Sequence, residues 1–553
     1  MKKLLAILLS AALLLSLAAC GGSATQETEA PTQAAVMDIS GRYGLDTVRN
    51  EAIVSDVTAA ARADKGNALV FYQIFVGSFS DSNGDGVGDL RGIINRFDYL
   101  NDGNPDSGLS LGVEGIWLSP IFTSPSYHKY DVADYYEIDP QFGIMEDLQE
   151  LVKLCHERGV KLILDLVINH TSTRHPWFQE FINAHRNGDT ANEYYDFYTW
   201  SEGPVEGKTM IPIGTSGHYY EGNFSSQMPE PDYENPAVRQ AMVDVAKFYL
   251  DMGIDGFRFD AAKYIYFGET TPNTDFWDWY MAQLRAIKPD VYTVAEVWDS
   301  DGITIPYFSS TNCFNFTMAQ VSGQIAQTAQ AGDVNVFTAY VDQYLDQIKA
   351  RNPEAMIVPF IANHDTDRAA GFLTVASGQA KVAANLNILM PGSPFIYYGE
   401  EIGLKGARGG ANTDANRRLA MNWGDGDTGS DPEGADYGSG QTNGTVAEQL
   451  ANGDSLYNHY KKLIMIRNAC PEIACGDYTA LVIEGMKLGG FVSTWEGSSV
   501  LVLHNTSKSA VTVDLAQITD LSPAGIVAFA GVGGATLEGT VLTIDGQTSV
   551  VLR

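Results

Sequence analysis

Three acidic residues, Asp260, Glu296 and Asp365, lie at or near the carboxyl ends of short apolar runs of the sequence. Arg258 stands two residues before Asp260, hence on the same face if the run is a strand, and an adjacent guanidinium keeps a carboxylate ionised. Glu296 lies among apolar residues, which raise the pKa of a carboxyl group. One carboxylate that attacks and one carboxyl group that donates a proton suit the hydrolysis of a glycosidic bond.

The elements that would position these residues are short β-rich runs without polar alternation, a pattern typical of strands buried on both faces. The runs are Val70–Val76, Val113–Leu118, Val160–Ile168, Ile254–Phe259, Val291–Val297, Met356–Ala362 and Pro394–Tyr398, with a weaker one near Cys313–Met318. Helix-like segments such as Met145–Arg158 and Pro236–Met252 lie between several of them. Eight strand–helix units predict a parallel (β/α)8 TIM barrel, whose reactive groups stand at the carboxyl ends of the strands.

Two stretches depart from this rhythm and predict further domains. Residues 171–235, after the third strand, are aromatic and Gly-rich and too long for a loop, so we expect an inserted subdomain. Residues 471–553 are rich in Val, Thr and Gly with short alternating runs, which predicts a C-terminal antiparallel β-sandwich domain. The catalytic barrel would then occupy residues 67–470.

The N-terminus has the pattern of a targeting segment. Lys2 and Lys3 precede an apolar run, Leu4 to Leu17, that is short for a membrane-spanning helix. The run ends in Leu17-Ala18-Ala19-Cys20, which resembles a bacterial lipoprotein cleavage box. We expect residues 1–19 to be a signal peptide, Cys20 to be lipidated and residues 20–38 to be a flexible tether; an ordinary secretory peptide is the alternative. The protein would be extracytoplasmic and held at the cell membrane through Cys20 only.

The charge and the remaining cysteines exclude some partners. The net charge of −33 makes nucleic acid and anionic lipid poor partners, because both need a basic surface, whereas a neutral ligand fits. Cys155, Cys313, Cys470 and Cys475 have no metal-type spacing. Cys470 and Cys475 are close enough in sequence to pair in an oxidising compartment, and buried free thiols are the alternative.

The stretch from Asp81 to Asp89, DSNGDGVGD, is rich in oxygen ligands. It resembles the front of a helix–loop–helix calcium loop, but the twelfth residue of that motif, a bidentate Glu, is Gly92 here. A calcium sensor is therefore excluded, and a cation-binding loop with another role remains as the interpretation. Its donors would be Asp81, Asn83, Asp85, the carbonyl of Val87, and Asp89.

Residues 67–553 resemble the α-amylase family, glycoside hydrolase family 13. The family's signature segments occur in order: Asp165-Leu-Val-Ile-Asn169-His170, Gly256-Phe-Arg258-Phe-Asp260, Glu296-Val-Trp298 and Asn363-His364-Asp365. The resemblance implies that Asp260 is the nucleophile, Glu296 the general acid/base and Asp365 a third carboxylate that holds the distorted sugar. It also implies that His170, Arg258 and His364 line the same sugar subsite.

Shorter segments extend the resemblance to substrate and metal. It implies that Tyr130 stacks on the sugar at the cleavage point beside His128 and Asp131, and that Asp414 and Arg418 bind that sugar's hydroxyl groups. Lys263 resembles a residue that binds sugars beyond the cut. The Asp81–Asp89 stretch resembles a calcium loop after the first strand, and Asn169 and Asp232 resemble ligands of a second calcium site. That second site is weakened here, because Tyr264 replaces a His that contributes its carbonyl.

The resemblance also bears on specificity. Oligo-1,6-glucosidases of the family carry Asn-Gly where this chain has His128-Lys129, and another sequence at Met228–Asp232. Both departures favour cleavage of α-1,4 bonds in starch and maltodextrins. Lys263 resembles a residue of endo-acting enzymes, and the family resemblance implies retention of configuration. A neopullulanase, maltogenic enzyme or glucanotransferase of the same family is an alternative. A non-catalytic lipoprotein that captures maltodextrin is an alternative of another class, although capture does not require three carboxylates.

Overall fold

The computed structural model describes residues 64–105, 107–409, 414–438 and 440–553. The predicted signal peptide, the lipidated Cys20 and the tether lie outside these residues. No helix of the described part is long and apolar enough to cross a membrane.

The strands, in chain order, are β1 (Phe71–Ile74), β2 (Gly115–Leu118), β3 (Phe122–Thr123), β4 (Asp134–Ile138), β5 (Lys161–Leu166), β6 (Trp200–Ser201), β7 (Met210–Pro212), β8 (Tyr219–Glu221), β9 (Gly256–Phe259), β10 (Tyr292–Ala295), β11 (Asn312–Cys313), β12 (Phe395–Tyr397), β13 (Asp477–Val482), β14 (Leu488–Trp495), β15 (Ser498–Asn505), β16 (Val511–Asp514), β17 (Ile526–Gly531), β18 (Ala535–Glu538), β19 (Val541–Ile544) and β20 (Thr548–Leu552).

The α-helices are α1 (Leu90–Asn95), α2 (Phe97–Leu100), α3 (Met145–Glu157), α4 (Pro176–Asn187), α5 (Pro236–Met252), α6 (Thr270–Ile287), α7 (Asp301–Thr304), α8 (Gln324–Ala331), α9 (Val334–Lys349), α10 (Ala369–Phe372), α11 (Gln379–Ile388), α12 (Val446–Leu450), α13 (Leu456–Ala469) and α14 (Pro471–Cys475).

Seven parallel strands form one curled sheet in the order β11-β10-β9-β5-β2-β1-β12. The predicted strand Met356–Ala362 lies between the two ends of this sheet: Val358 bridges Phe314 in parallel, and the Pro359 carbonyl accepts a hydrogen bond from Phe395 N (2.9 Å). Pro359 has no N–H, so a regular ladder does not form there. The segment nevertheless completes the ring, and the predicted TIM barrel is confirmed.

Large side chains from different strands fill the barrel. The rings of Phe71 on β1 and Phe395 on β12 stack with centroids 4.8 Å apart, and Trp117 and Ile163 are buried beside them. Because strand side chains alternate, the residues between these ones face the surrounding helices. The interior is therefore a packed core, and the space for a ligand lies at its end.

Local sequence sets the ends of α5, which matches the predicted helix. The Asn235 side chain accepts a hydrogen bond from Ala237 N, and Pro236 occupies the first turn, where no N–H partner is needed. Gly253 ends the helix with φ 112°, a left-handed conformation that glycine adopts without strain. After this helix end the chain enters β9, which carries Arg258 and precedes Asp260.

Two further units surround the barrel. The insert after the third barrel strand contains α4 and a small sheet in the order β6-β8-β7. The C-terminal region forms a five-stranded sheet, β13-β14-β15-β20-β17, and a three-stranded sheet, β16-β19-β18, with an apolar core to which both contribute. The predicted antiparallel C-terminal domain is confirmed. Cys155, Cys313, Cys470 and Cys475 are all free, so Cys470 and Cys475 do not pair.

Candidate active site

Asp260 and Glu296 stand at the ends of neighbouring barrel strands. The residues before them, Phe259 on β9 and Ala295 on β10, are partners in the parallel register, so the two carboxyl groups leave the sheet side by side. Arg258 joins them: its Nη1 lies 2.7 Å from Asp260 Oδ1 and its Nη2 lies 2.7 Å from Glu296 Oε2.

Arg258 also contacts a third carboxylate, Asp165 at the end of β5, through Nη1 at 2.7 Å. One cation therefore serves three buried carboxyl groups, and full ionisation would leave negative charge uncompensated, which favours the protonated form of these groups. Burial raises the pKa of Glu296 to about 7, and the charges of Asp260 and Asp365 act in the same direction. Burial likewise raises the pKa of Asp165 to about 7.

The structure agrees only in part with the expectation that Arg258 keeps Asp260 ionised. Arg258 lowers the pKa of Asp260 by its charge and hydrogen bond, but burial outweighs it and the pKa stays above its ordinary value. The expectation for Glu296 agrees with the structure: its surroundings raise the pKa, as a proton donor requires.

The residue after the proposed nucleophile has a strained backbone. Ala261 has φ 50°, a left-handed conformation that is rare for residues other than glycine. This turn directs Ala261 N toward Glu296 Oε2 at 3.0 Å, and Ala262 N donates to the Glu296 carbonyl at 3.0 Å. These two hydrogen bonds hold Glu296 beside Asp260.

Asp365, a further carboxylate of the centre, is held by His364 and Arg418. Its Oδ2 lies 2.9 Å from His364 Nε2, and its Oδ1 accepts a hydrogen bond from Arg418 Nη2 at 2.8 Å. Burial opposes ionisation of Asp365, but these two partners hold its pKa well below the usual range. Gln73 Nε2 lies 2.7 Å from His364 Nδ1, which favours the neutral tautomer that donates from Nε2.

Tyr130 reaches the same centre from the segment between β3 and β4. Its hydroxyl donates to Asp165 Oδ2 at 2.9 Å and lies 2.6 Å from His364 Nε2. Lys129, with φ 64°, makes the turn that places Tyr130, and Tyr130 N donates to His128 Nδ1 at 3.1 Å. The rings of His128 and Tyr130 therefore lie at the mouth of the barrel.

A cavity of about 530 Å³ opens over these groups. It is lined by His128, Tyr130, His170, Phe224, Met228, Asp260, Ala261, Tyr264, Glu296, Trp298, Asp365, Asp414 and Arg418. His170 Nε2 is buried and has no hydrogen-bond partner among the described residues, so it is available to a hydroxyl group of a ligand. Burial lowers the pKa of His170 to about 4, so this imidazole is neutral at neutral pH.

Some predicted sugar contacts lie elsewhere. Arg258 and His364 are buried beneath the cavity and act through the carboxylates they bind. Asp131 is turned toward Ser124 Oγ, at 2.8 Å, and toward Ser126, so it fixes the loop that carries His128. Lys263 does not line the cavity: its ammonium donates to the Trp298 carbonyl at 2.7 Å and lies 2.9 Å from Asp299.

Phe224 and Met228 line the cavity and were not among the sequence-predicted site residues. Both come from the insert, whose sequence has no periodicity that would place a side chain. Met228 begins the segment Met228–Asp232, which the sequence comparison within the family already used for specificity. Phe224 carries no such signal, since it stands out only through its position over the cavity.

In the predicted calcium loop, the side-chain oxygen atoms accept hydrogen bonds from nearby backbone N–H groups. Asp81 Oδ1 accepts from Gly84 N at 2.7 Å and Oδ2 from Gly86 N at 2.8 Å, while Asp89 caps α1 by accepting from Gly92 N at 2.6 Å. Asn83 and Asp85 are exposed, and each accepts a backbone N–H two residues on. Carboxylate, amide and carbonyl oxygens are the donors that calcium takes. In the described residues no three His, Cys, Asp or Glu side chains converge as a metal group, so calcium at Asp81, Asn83, Asp85, Val87 and Asp89 stays a prediction.

The second predicted calcium site involves Asn169 and Asp232. Asn169 Oδ1 is buried and bonds to nothing in the described residues, which fits an oxygen that a cation would take. The segments that carry the two residues adjoin, because Tyr233 donates to the Ile168 carbonyl. Asp232 Oδ1 accepts from Glu234 N at 2.9 Å. This site also stays a prediction.

A pair of carboxyl groups beside a guanidinium, at the open end of a TIM barrel, defines a glycosidase-type centre. Comparison with known proteins agrees: residues 73–476 match the family model described as "Alpha amylase, catalytic domain". The chain belongs to the α-amylase family, glycoside hydrolase family 13, and is an enzyme of the glycosidase class.

Individual relatives cover most of the chain. Alpha-amylase 3 of Dictyoglomus thermophilum is 35% identical over 454 residues, which are 79% of this chain and 85% of that protein. The 4-alpha-glucanotransferase of Thermotoga neapolitana is 32% identical over 361 residues, 63% of this chain and 74% of that one. The structure is similar to Eubacterium rectale Amy13B, with a TM-score of 0.82, 32% identity and coverage of 88% of this chain and 96% of that one. The family acts on α-glucans, and its members include both hydrolases and transferases.

Proposed function

We propose that this protein hydrolyses internal α-1,4-glucosidic bonds of starch and maltodextrins with retention of configuration. The observation that carries the proposal is the shared guanidinium: Arg258 holds Asp260 and Glu296 side by side at paired strand ends. Retaining glycosidases need their two carboxyl groups about 5 Å apart, so that no water fits between sugar and nucleophile.

The active-site side chains can carry out two chemical steps. In the first, Glu296 gives its proton to the glycosidic oxygen while an Asp260 oxygen attacks the anomeric carbon, which breaks the C–O bond and forms a glycosyl ester. In the second, the Glu296 carboxylate takes a proton from water, and the water oxygen displaces Asp260. Asp365, ionised beside Arg418, would bind the hydroxyl groups of the sugar during both steps.

The lining residues explain how the reacting sugar would be held. His128, His170, Asp414 and Arg418 offer donors and acceptors to hydroxyl groups, and Tyr130 offers a ring face to the apolar face of the sugar. Removing water from this cavity strengthens each of these contacts. The relatives named as an alpha-amylase and as a glucanotransferase support action on α-1,4 chains without separating hydrolysis from transfer.

The test is a product profile on maltoheptaose, amylose and pullulan, with the Asp260→Asn variant as the inactive control. Short maltooligosaccharides from the first two, with a rapid loss of iodine staining, are expected. Panose from pullulan would instead indicate a neopullulanase, and chains longer than maltoheptaose would indicate a glucanotransferase. Tight binding of maltoheptaose without turnover would contradict the proposal and favour maltodextrin capture.

The proposal includes calcium and a lipid anchor. Asp81, Asn83, Asp85, Val87 and Asp89 would hold one calcium ion, which would neutralise the crowded carboxylates of the loop after the first strand. Asn169 and Asp232 would contribute to a second ion between barrel and insert. A lipid on Cys20 would keep the enzyme outside the cytoplasm at the membrane, within reach of α-glucan that cannot enter the cell. Calorimetric titration of the calcium-depleted protein with calcium tests the site at Asp81–Asp89. Metabolic labelling with a fatty acid, with Cys20→Ser as control, tests the lipid anchor.

A further inference from the structure

Gln73 is a buried polar residue of β1 that the two proposed chemical steps do not use. It stands two residues after Phe71, whose ring fills the barrel, so the two side chains lie on the same face of the strand. Its Nε2 lies 2.7 Å from His364 Nδ1. A buried amide costs free energy unless it is hydrogen-bonded, so this contact accounts for a polar side chain at this position.

The tautomer of His364 follows from its other ring nitrogen. Nε2 lies 2.9 Å from Asp365 Oδ2. Burial opposes the ionisation of Asp365, but His364 and Arg418 hold its pKa well below the usual range, so the carboxylate only accepts and Nε2 carries a proton. Burial also lowers the pKa of His364, which keeps the ring neutral. Nδ1 is therefore an acceptor, and the amide N–H of Gln73 donates to it.

The hydroxyl of Tyr130 takes its direction from this tautomer. Its oxygen lies 2.6 Å from His364 Nε2 and 2.9 Å from Asp165 Oδ2. Because Nε2 carries a proton, the hydroxyl oxygen accepts from His364, and its own hydrogen is donated to Asp165. Asp165 Oδ1 accepts from Arg258 Nη1 at 2.7 Å. Both oxygens of Asp165 therefore accept hydrogen bonds, which favours the ionised form of this carboxyl group.

Asp165 and Glu296 compete for a proton near neutral pH, because burial raises the pKa of each to about 7. Arg258 lowers both pKa values and Asp260 raises both, so neither decides which group keeps the proton. The Tyr130 hydroxyl lowers the pKa of Asp165. Glu296 lines the cavity, whereas Asp165 is 1% exposed, so a proton must be on Glu296 to reach a glycosidic oxygen. The charged and titratable groups that face this pair and His364 are Tyr130, Arg258, Asp260, Asp365 and Arg418.

We propose that the hydroxyl of Tyr130, oriented by His364 and Gln73, keeps Asp165 ionised and so leaves the proton of the centre to Glu296. Gln73 is a positioning residue in this chain of hydrogen bonds, because it acts through His364. The hydroxyl of Tyr130 thereby has a role that is separate from the contact of its ring with a sugar. This inference rests on the proposed function, since it concerns the proton that Glu296 gives to the glycosidic oxygen.

The test uses Tyr130→Phe, which keeps the ring and removes the hydroxyl. The lost hydrogen bond to an ionised oxygen changes the balance between Asp165 and Glu296 about tenfold, so Glu296 should hold the shared proton in about one molecule in eleven instead of about one in two. We expect kcat/KM on maltoheptaose at about pH 7 to fall about fivefold, and its alkaline limb to move about one pH unit lower. On α-maltosyl fluoride, whose leaving group needs no proton, kcat/KM should stay within about twofold. Tyr136→Phe is the matched control, because Tyr136 is 42% exposed on β4.

Further measurements test the separate links of the chain. Nitrogen-15 NMR of histidine-labelled protein should show the His364 proton on Nε2 and none on Nδ1, with the signal assigned through its absence from His364→Asn. Gln73→Met leaves Nδ1 without a donor, so it should move the alkaline limb in the same direction as Tyr130→Phe but by less. It should add nothing when combined with Tyr130→Phe, and Tyr130→Phe should not move the limb when Asp165 is already replaced by Asn.

Three results would overturn the inference while leaving the proposed function intact. They are a proton on Nδ1 of His364 in the wild type, an alkaline limb that Tyr130→Phe leaves unchanged or still moves in Asp165→Asn, and equal losses of Tyr130→Phe on both substrates. A limb that Gln73→Met leaves unchanged would remove Gln73 from the chain. A wild-type enzyme that turns over neither substrate would overturn the proposed function, and this inference with it.

Discussion

Replacing Glu296 by Gln tests the assignment of the proton donor most directly. Gln keeps the shape of the side chain and can still accept the hydrogen bond from Ala261 N, which lies 3.0 Å from Glu296 Oε2. It has no proton to give to a glycosidic oxygen. The exposed Glu538 of β18 provides a matched control, because Glu538→Gln makes the same chemical change far from the carboxylates.

The expected size of the effect follows from the environment of Glu296. Burial and the neighbouring carboxylates raise its pKa from 4.5 to about 7. At pH 7 a carboxyl group with the ordinary value would be protonated in about 0.3% of molecules, whereas this one is protonated in about half of them. The site thus increases the acid form roughly 150-fold, and general acid catalysis contributes about 10²- to 10⁴-fold in rate. We expect Glu296→Gln to lose 10²- to 10⁴-fold in kcat/KM on maltoheptaose.

The assay is a pH profile of kcat/KM on two substrates. Because Glu296 acts as a protonated acid in the first step, the wild-type value on maltoheptaose should fall as the pH rises through about 7. Glu296→Gln should lose this alkaline limb. On α-maltosyl fluoride, whose leaving group needs no proton, the variant should stay within about tenfold of the wild type, since kcat/KM reports only the steps up to the glycosyl ester.

Two results would refute the assignment. If Glu296→Gln hydrolysed maltoheptaose within about tenfold of the rate of Glu538→Gln, another group would be the acid. If activity on both substrates fell equally, Glu296 would support the centre as a whole rather than supply a proton.

Three further predictions concern the nucleophile, the stereochemistry and the metal. Asp260→Asn should lose at least about 10³-fold in turnover with an unchanged circular dichroism spectrum, because an amide cannot form the glycosyl ester; near-normal starch hydrolysis would contradict this. Proton NMR of the first-formed product should show the α-anomer, since the paired strand ends hold the carboxyl groups of Asp260 and Glu296 together; an initial β-anomer would exclude retention. Calcium at a hundredfold excess over its dissociation constant should stabilise the native state by about 2.7 kcal/mol. It should raise the melting temperature more than the activity, and Asp85→Ala should remove most of this response; a melting temperature insensitive to both chelator and mutation would leave the loop as an acidic turn.

The barrel and its candidate catalytic residues could be predicted from patterns that a single sequence contains. A strand buried on both faces is mostly apolar, so the runs that became β1, β2, β5, β9 and β10 are visible without any knowledge of their neighbours. The capped helix α5 is equally local. Polar residues directly after such runs stand out in the sequence, because buried strands contain few polar residues.

Other features depend on partners that are distant in sequence. The seventh barrel strand is reduced to a bridge at Val358 because Pro359 lacks an N–H, although its apolar run predicts a full strand. Lys263 has the charge to bind a sugar, yet its orientation depends on Asp299, 36 residues away. The pKa of Asp260 reflects a competition between Arg258 and burial, and only the folded chain sets the extent of burial.

The closure of the barrel has a consequence for how the chain folds. Phe71 on β1 pairs with Phe395 on β12, so the first strand meets its second neighbour only 324 residues later in the sequence. During synthesis β1 keeps one edge open until nearly the whole barrel has emerged, and the insert lengthens this interval. Parallel pairing across such a distance is slow, because loop closure costs entropy before the contacts form, and an open strand edge is a template for other chains. A chain that stops before β12 should therefore associate with copies of itself through the open edge of β1.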